Sequence, residues 1–165
     1  MENAPGIFDA YRDVVRPEWI DYNGHLNVGY YGVVFDYATD EWLDHLGLDT
    51  PHRTQHRVTT FTLEAHFTYQ REVVEGDRLR FTTRLLAFDE KRIHYLHRMY
   101  READGVLAAT NELMSLHVSV DTRRAAPMHE TVQSRLAQAQ ASHAASPTPD
   151  EVGRVMGLGS RATTG

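Results

Sequence analysis

One long helical pattern, residues 28–46, constrains the fold of this chain more than any other stretch. Its apolar residues recur at steps of three and four, which places them on one face of a helix, while three aspartates share another face. Asn27 precedes the pattern as a typical N-cap, and Gly47 follows it where helices commonly end in a left-handed residue. A helix of this length spans about 30 Å, the width of a small domain. We therefore predict one central helix whose buried stripe contains Val28, Tyr31, Phe35, Ala38, Trp42 and Leu46.

Strand-like segments flank this helix, and little helical signal separates the four that follow it. In residues 58–72, apolar and polar side chains alternate with a period of two, as in a half-buried strand. One long helix beside five strands favours an α+β fold, in which a curved antiparallel sheet wraps around a single central helix. Gly29 and Gly32 are expected to let strands approach the helix closely. The predicted strands are residues 11–16, 58–72, 78–88, 92–101 and 106–120; residues 48–57 are predicted to be a loop and residues 130–145 a C-terminal helix.

The length and composition favour a single globular domain. A chain of 165 residues with 41% hydrophobic residues can bury a sizeable core; we place the domain at residues 1–145 and a partly ordered tail at residues 146–165. The chain has no cysteine, which excludes disulfides, a cysteine-based zinc site and a thiol nucleophile. Its net charge of −6 disfavours nucleic acid as the main partner.

Targeting signals are not visible in the sequence. Residues 1–6 are polar and lack the apolar run that a secretory signal contains. No stretch approaches the ~18 apolar residues of a membrane span. We therefore expect a cytoplasmic protein without a membrane partner.

The turn before the helix holds the candidate catalytic residues. Residues 21–27 crowd Asp21, Asn23, His25 and Asn27 around one glycine, next to a helix N-terminus that points N–H groups and a partial positive charge at them. A carboxylate there can serve as a base or a nucleophile, and the helix N-terminus can stabilise a developing negative charge. The same pattern is also consistent with an aspartate that only tightens the turn through its own backbone.

The order of elements, with an aspartate-containing turn leading into one long helix, resembles the hotdog fold of acyl-CoA thioesterases. Asp21-Tyr-Asn-Gly-His-Leu-Asn27 followed by Tyr30 is similar to the D-x-N-x-H-x-N…Y stretch of plant acyl-carrier-protein thioesterases. Phe35-Asp-Tyr-Ala-Thr-Asp-Glu-Trp-Leu43 is similar to the F-E-x-A-x-x-E-W-L helix of the bacterial 4-hydroxybenzoyl-CoA thioesterase group. In that second alignment Asp21 falls on the catalytic aspartate.

One subgroup, the betainyl-CoA thioesterases and the thioesterase part fused to some carnitine dehydrogenases, is similar over most of residues 11–158. This resemblance implies a hydrolase of betainyl-CoA that releases CoA and a free acid, and a homodimer or homotetramer with its sites at subunit interfaces. The shared features are Pro17-Glu-Trp-Ile-Asp-Tyr-Asn-Gly-His25, Ala38-Thr-Asp40, Leu63-Glu-Ala-His66, Asn111-Glu-Leu-Met114, Leu116-His-Val118 and Gly153-Arg-Val-Met-Gly-Leu158.

The resemblance also implies roles for the residues of the turn. Asp21 would be the general base or the nucleophile, and Asn23 would orient the water or the substrate carbonyl. His25 would donate a hydrogen bond or relay a proton, although a satisfied structural histidine is the plainer interpretation. Backbone N–H groups from Asn27 to Gly29 would form the oxyanion site.

Two glutamates compete for the role of a second carboxylate in the site. Glu64 is slightly favoured over Glu72, although Glu64 lies on the polar side of its strand and is equally consistent with a solvated charge. Glu72 falls near a carboxylate of the plant thioesterases. Val73 occupies the position of their cysteine, so a cysteine–histidine mechanism is unavailable to this chain.

Aromatic and basic residues are candidates for binding the two ends of such a substrate. A quaternary ammonium group binds in cages of aromatic rings; Tyr22 and Tyr30 are the best candidates, although many rings near the turn are expected to be ordinary core. The phosphates of coenzyme A need cations, for which residues 91–92 (Lys-Arg) and 123–124 (Arg-Arg) are candidates unless they are solvated turn charges.

A metal site is not expected, and no cofactor beyond the coenzyme A of the substrate is implied. His52 and His56 are four apart in a predicted loop, and His94 and His97 should point to opposite faces of a strand. Two alternatives to a hydrolase stay open. One is a hotdog dehydratase, which uses an Asp or Glu with a His, and the other is a non-catalytic acyl-CoA-binding module.

Overall fold

The predicted central helix is present as α1, Val28–His45. Asn27 caps its N-terminus: the N–H of Gly29 donates to Asn27 Oδ1 at 2.9 Å, which satisfies one of the amides that have no partner within the helix. The predicted stripe is buried except for Val28, whose side chain is 65% exposed. Val28 is the first helical residue and lines a surface cavity rather than the core.

The prediction that Gly29 and Gly32 admit closely approaching strands is wrong. A Cβ atom added at Gly32 would meet no heavy atom of a packed neighbour within 4 Å, and one at Gly29 would meet only Asn27 Oδ1, at 3.4 Å. Neither position therefore needs glycine for close packing against the sheet.

Five strands form one antiparallel sheet: β1 (Arg12–Val14), β2 (Val58–Tyr69), β3 (Arg78–Phe88), β4 (Arg92–Arg101) and β5 (Val106–Ser119). Their order is β1-β3-β4-β5-β2, so the 12-residue β2 ends one side of the sheet. Phe35 of α1 makes edge-to-face contacts with Phe67 of β2 and Phe81 of β3, with 5.8 and 5.5 Å between ring centroids. Since two strands separate β2 from β3, both reach Phe35 because the sheet curls around α1.

The segment predicted as a loop, residues 48–57, instead contains a helix, α2 (Thr50–His56). Asp49 caps this helix by accepting a hydrogen bond from the His52 N–H at 2.9 Å. Pro51 is tolerated because it occupies the first turn, where a helix has no partner for the missing N–H. The prediction of a loop is therefore wrong. The cap stabilises the first turn of the helix, and Pro51 does not break the helix because it lies within that turn.

Three strands are shorter than predicted, although β5 loses only one residue because it ends at Ser119 rather than at residue 120. β1 covers residues 12–14 of the predicted 11–16, and β2 ends at Tyr69 rather than at residue 72. β2 ends there because the N–H groups of Gln70 and Arg71 both donate to the carbonyl oxygen of Ala108, at 2.8 and 3.1 Å. The chain leaves the sheet at this point, and the following residues become free to line a cavity.

The C-terminal helix, α3 (Glu130–His143), packs against the end of α1. Val132 and Leu136 of α3 are fully buried in the same apolar cluster as Trp42 and Leu43 of α1. None of the described helices is long and apolar enough to cross a membrane.

The computed structural model describes residues 7–9, 11–143 and 146–158. Three parts of the predictions lie outside these ranges: the polar N-terminus (1–6), the last two residues of the predicted C-terminal helix (144–145) and the end of the tail (159–165).

Candidate active site

The polar turn that precedes α1 is held by main-chain hydrogen bonds. The N–H of Leu26 donates to the carbonyl oxygen of Val73 at 2.9 Å, and the N–H of Asn27 donates to that of Trp19 at 2.9 Å. The turn closes on itself through the N–H of Asp21, which donates to the carbonyl oxygen of His25 at 3.0 Å. These bonds fix the backbone of the turn and leave its side chains free for other contacts.

Asp21 uses one carboxylate oxygen inside the turn. Its Oδ1 accepts the N–H of Asn23 at 2.8 Å, and its carbonyl oxygen accepts the N–H of Gly24 at 3.0 Å. Gly24 has a φ of +81°, a conformation that glycine adopts readily. Within the described residues, Asp21 Oδ2 makes no hydrogen bond. The turn-forming and the catalytic interpretations of Asp21 are therefore compatible, because each uses a different oxygen.

A cavity of about 380 Å³ brings Asp21 and His25 together with the segment that follows β2. His25 Nε2 lies 3.1 Å from Glu72 Oε2. Val28 and Arg71 also line this cavity. A ligand in this cavity would meet both the carboxylate of Asp21 and the imidazole–carboxylate pair of His25 and Glu72.

Glu64, the favoured second carboxylate, lies elsewhere in the subunit. Phe67 of β2 contacts α1, so Glu64 and His66, which alternate with it, face away from the helix. Both line a separate cavity of about 360 Å³ together with Glu112. The glutamate that lines the cavity with Asp21 is Glu72, so the preference for Glu64 as the second carboxylate is wrong for a single subunit.

Tyrosines that the sequence analysis did not select line the cavity of Asp21. Tyr31 and Tyr69 form an edge-to-face pair with 4.9 Å between ring centroids. Burial raises the pKa of Tyr31 to about 12, so its hydroxyl stays protonated at neutral pH. The two predicted cage residues are not among the lining residues: Tyr22 is 97% exposed, and Tyr30 stacks on Trp19 with 5.9 Å between ring centroids.

Sequence comparison places this chain in a known family. Residues 15–136 match the profile of the thioesterase-like superfamily, which covers well over half of the chain. The chain belongs to this superfamily.

Individual relatives agree with the assignment. The chain is 43% identical over 152 residues to the betainyl-CoA thioesterase of Pseudomonas aeruginosa, covering 92% of this chain and 96% of that protein. It is 38% identical over 139 residues to the L-carnitine dehydrogenase/betainyl-CoA thioesterase of Agrobacterium fabrum, covering 84% of this chain and 28% of that longer protein. A solved Staphylococcus aureus protein in complex with CoA superposes with a TM-score of 0.87 at 28% identity, covering 96% of this chain and 99% of that one.

These matches confirm the predicted hotdog fold and the prediction of a thioesterase. They do not test individual site residues. The roles assigned to Asp21, Asn23, His25, Asn27 and Gly29 therefore stay predictions.

Three histidines of this thioesterase-like chain, His52, His56 and His129, form a group that was not predicted. Because residues 50–56 are helical, His52 and His56 share a helix face, and their ring centroids lie 4.5 Å apart. The ring of His129 lies 5.3 Å from that of His56. No group of three or more His, Asp or Glu side chains in the described part of the chain is arranged to hold a metal ion. Hydrolysis without a metal stays a prediction.

The basic residues suggested for the phosphates of coenzyme A have neighbours of their own. Lys91 pairs with Glu90 at 2.8 Å and Arg92 with Asp89 at 2.6 Å. The guanidinium of Arg123 lies 5.3 Å from the centre of an aromatic ring of β2. Exposed ion pairs of this kind contribute little to the stability of the fold, and their cations can exchange partners. These cations therefore remain candidates for phosphate binding.

We expect Glu72→Gln to lower kcat/KM for thioester hydrolysis about tenfold or more, because it removes the charge that faces His25 across 3.1 Å. Glu64→Gln is the matched control and should change kcat/KM less than about twofold, since Glu64 lies in the other cavity. Thiol-release kinetics on the two purified variants measure the difference. A larger loss for Glu64→Gln would reverse the assignment of the second carboxylate.

Proposed function

We propose that this protein is a betainyl-CoA thioesterase, which hydrolyses betainyl-CoA to betaine and free CoA. The observation that carries the proposal is the convergence of Asp21, the His25–Glu72 pair and the Tyr31–Tyr69 pair on one cavity beside the N-terminus of α1. The 43% identity to a betainyl-CoA thioesterase over nearly the whole of both chains supports the choice of acyl group. The similar Staphylococcus aureus structure in complex with CoA supports the binding of a CoA thioester.

Asp21 supplies the carboxylate for hydrolysis. With Oδ1 held by the N–H of Asn23, Oδ2 either removes a proton from the attacking water or adds to the thioester carbonyl itself. When water attacks, the C–S bond breaks and betaine forms directly. When Asp21 attacks, the C–S bond breaks to leave a mixed anhydride between Asp21 and the acyl group, and water then hydrolyses this anhydride to betaine and free Asp21. In either route CoA leaves as a thiolate that takes up a proton. His25, beside Glu72, is the group that delivers this proton.

Amides at the N-terminus of α1 stabilise the oxyanion that forms on the carbonyl oxygen. The partial positive charge of the helix end adds to their effect. The N–H of Gly29 already donates to Asn27 Oδ1 at 2.9 Å. The oxyanion therefore either displaces this cap or binds the N–H of Val28, whose side chain lines the cavity.

The trimethylammonium group of betaine binds at the aromatic wall of the cavity. Tyr31 and Tyr69 offer rings there, and Glu72 offers a negative charge beside them. Each cation–π contact contributes about 0.5–2 kcal/mol. The proposal therefore moves the cation site from Tyr22 and Tyr30 to the Tyr31–Tyr69 pair.

The enzyme works as a homo-oligomer and needs no metal or redox cofactor in this proposal. β2 forms an edge of the sheet, and within the described residues no strand pairs with its outer side. An open edge of this length pairs readily with a second copy of the same chain. Hydrolysis by a carboxylate consumes only water and the thioester, so no further reactant is invoked.

Release of free CoA, followed with a thiol reagent, tests the proposed substrate. We expect kcat/KM for betainyl-CoA to exceed that for 3,3-dimethylbutanoyl-CoA by about tenfold or more, because this isostere replaces the cationic nitrogen by carbon and loses the cation–π contacts. Short straight-chain and aromatic acyl-CoAs complete the panel. Equal kcat/KM values for the two isosteres would contradict the proposed cation site. Absence of thiol release from every substrate would leave a dehydratase or an acyl-CoA-binding module.

A further inference from the structure

The tail, residues 146–158, is fastened across the face of the sheet that α1 does not cover. Arg84 of β3 donates to two tail carbonyl groups, at 2.9 and 2.7 Å. Arg98 of β4 pairs with Glu151 of the tail at 2.6 Å, and both side chains are mostly buried. The tail therefore has a defined path over the sheet, which begins at β3 and proceeds over β4.

The last anchor lies over β5, next to the free edge of the sheet. The N–H of Gly153 donates to Glu112 Oε2 at 2.8 Å, while Glu112 Oε1 lies 2.8 Å from Nε2 of His94. Gly153 and Arg154 line the same cavity as Glu64 of the edge strand β2. The tail thus arrives at the β2 edge with a positive charge beside a negative one.

Beyond this anchor, the tail presents three apolar side chains to solvent. Val155, Met156 and Leu158 are 92%, 90% and 104% exposed. The edge strand β2 exposes apolar groups as well: Phe61 is 38% and Leu63 is 55% exposed. Apolar side chains clustered directly after an anchored segment mark an interaction surface.

We propose that residues 155–158 of one subunit bind a second copy of this chain, across the β2 edge, and pack on the exposed apolar side chains of the β2 strand of that copy. The inference rests on the homo-oligomer proposed above and names a surface that holds it together. A two-fold axis that brings two β2 edges together also brings each tail beside the opposite edge strand, because each tail ends at its own β2 edge. The contact is reciprocal, and it uses apolar groups that a single subunit leaves uncovered.

Sedimentation velocity of the complete chain over a dilution series tests the contact. We expect the triple variant Val155→Ser, Met156→Ser, Leu158→Ser to weaken dimerisation by about tenfold or more, because it removes apolar anchors from both halves of the interface. A chain that ends at Arg154 keeps every anchor described above and should show the same loss. Val14→Ser is the matched control, since Val14 is 43% exposed on β1, at the opposite edge of the sheet.

A dimer whose dissociation constant is the same in the triple variant and the wild type would overturn the contact, and so would a wild-type chain that stays monomeric. Thiol release, measured on the same preparations, reports on the proposed function separately. A monomer that hydrolyses betainyl-CoA would refute the tail contact and the homo-oligomer but leave the proposed hydrolase standing. A dimer that depends on its tail but releases no thiol would support the contact and refute the hydrolase.

Discussion

Asp21→Asn should lower kcat for thioester hydrolysis by about 10²–10⁴-fold, the range that a positioned acid–base group contributes. The amide of the variant keeps an oxygen acceptor for the N–H of Asn23, which lies 2.8 Å from Asp21 Oδ1 in the wild type. The turn should therefore keep its conformation. What the variant loses is the negative charge and the second carboxylate oxygen of a residue that lines the cavity, so the effect on catalysis should far exceed the effect on stability.

Thiol release and thermal unfolding, measured on the same protein, separate these two effects. We expect the melting temperature of Asp21→Asn to stay close to that of the wild type while turnover nearly vanishes. Asp36→Asn is the matched control, because Asp36 is exposed on α1 away from the cavity of Asp21. An Asp21→Asn enzyme with turnover within about tenfold of the wild type would leave Asp21 with a role in the turn only.

The second large effect concerns stability and arises from His97, which is completely buried on the side of β4 that meets α1. Thr39 Oγ1 donates to the carbonyl oxygen of Phe35 at 3.0 Å, so it accepts a hydrogen bond from His97 Nε2, also at 3.0 Å. The hydroxyl of Thr83 then donates to His97 Nδ1 at 2.8 Å. Both partners suit the neutral ring, and burial lowers the pKa of His97 to about 3.

Acid should therefore destabilise the protein through His97. The pKa of this ring is 6.5 in its ordinary state and about 3 in the folded chain, so the unfolded state binds the proton first. The contribution of His97 to the free energy of unfolding is complete above pH 6.5 and is lost as the pH falls towards 3. Each pH unit in that window costs about 1.4 kcal/mol, which gives about 2 kcal/mol between pH 6.5 and pH 5.

Denaturant unfolding at a series of pH values measures this loss. We expect His97→Gln to be less stable than the wild type at neutral pH but to lose about 2 kcal/mol less between pH 6.5 and pH 5. Tyr95→Phe is the control: it removes the hydroxyl that lies 2.9 Å from Ser115 Oγ on the same strand, and its effect should be equal at each pH. Parallel pH profiles for the wild type and His97→Gln would show that His97 does not cause the acid sensitivity.

Local spacing was enough to predict the elements that carry a strong apolar period. The buried stripe of α1 follows from steps of three and four, and the presence of a strand at β2 follows from the period of two. The half-buried alternation predicted for β2 is wrong, because a bulge between Thr62 and Glu64 shifts the register and none of its residues is fully buried. α2 could not be predicted from apolar spacing, because none of its residues is fully buried and the segment has no apolar face. In addition, Pro51 favoured a loop. The only local signal was the cap residue Asp49 directly before the helix.

The candidate site was also predicted only in part, because only contacts between residues close together in the sequence can be predicted from local patterns. Asp21 and His25 belong to one turn, so their proximity is local and visible in the sequence. Glu72 joins them because the chain leaves the sheet after Tyr69, which depends on hydrogen bonds to a residue far along the chain. The position of Tyr31 on the buried stripe predicts a core residue, and Tyr31 is only 5% exposed. It also lines the cavity, which the stripe does not indicate.

The position of β2 at the far side of β5 has a consequence for chain entropy. Tyr69 lies opposite Ala109, so this pairing closes a loop of 40 residues, whereas Arg101 lies opposite Val106 only five residues later. Since the entropic cost of closing a loop grows with the logarithm of its length, the β2 pairing costs about 2 kcal/mol more than the hairpin. The wall of the Asp21 cavity that residues 69–72 form depends on this long closure. The cavity therefore belongs to a part of the sheet on which chain entropy exerts a stronger pull towards opening than it does on the β4–β5 hairpin.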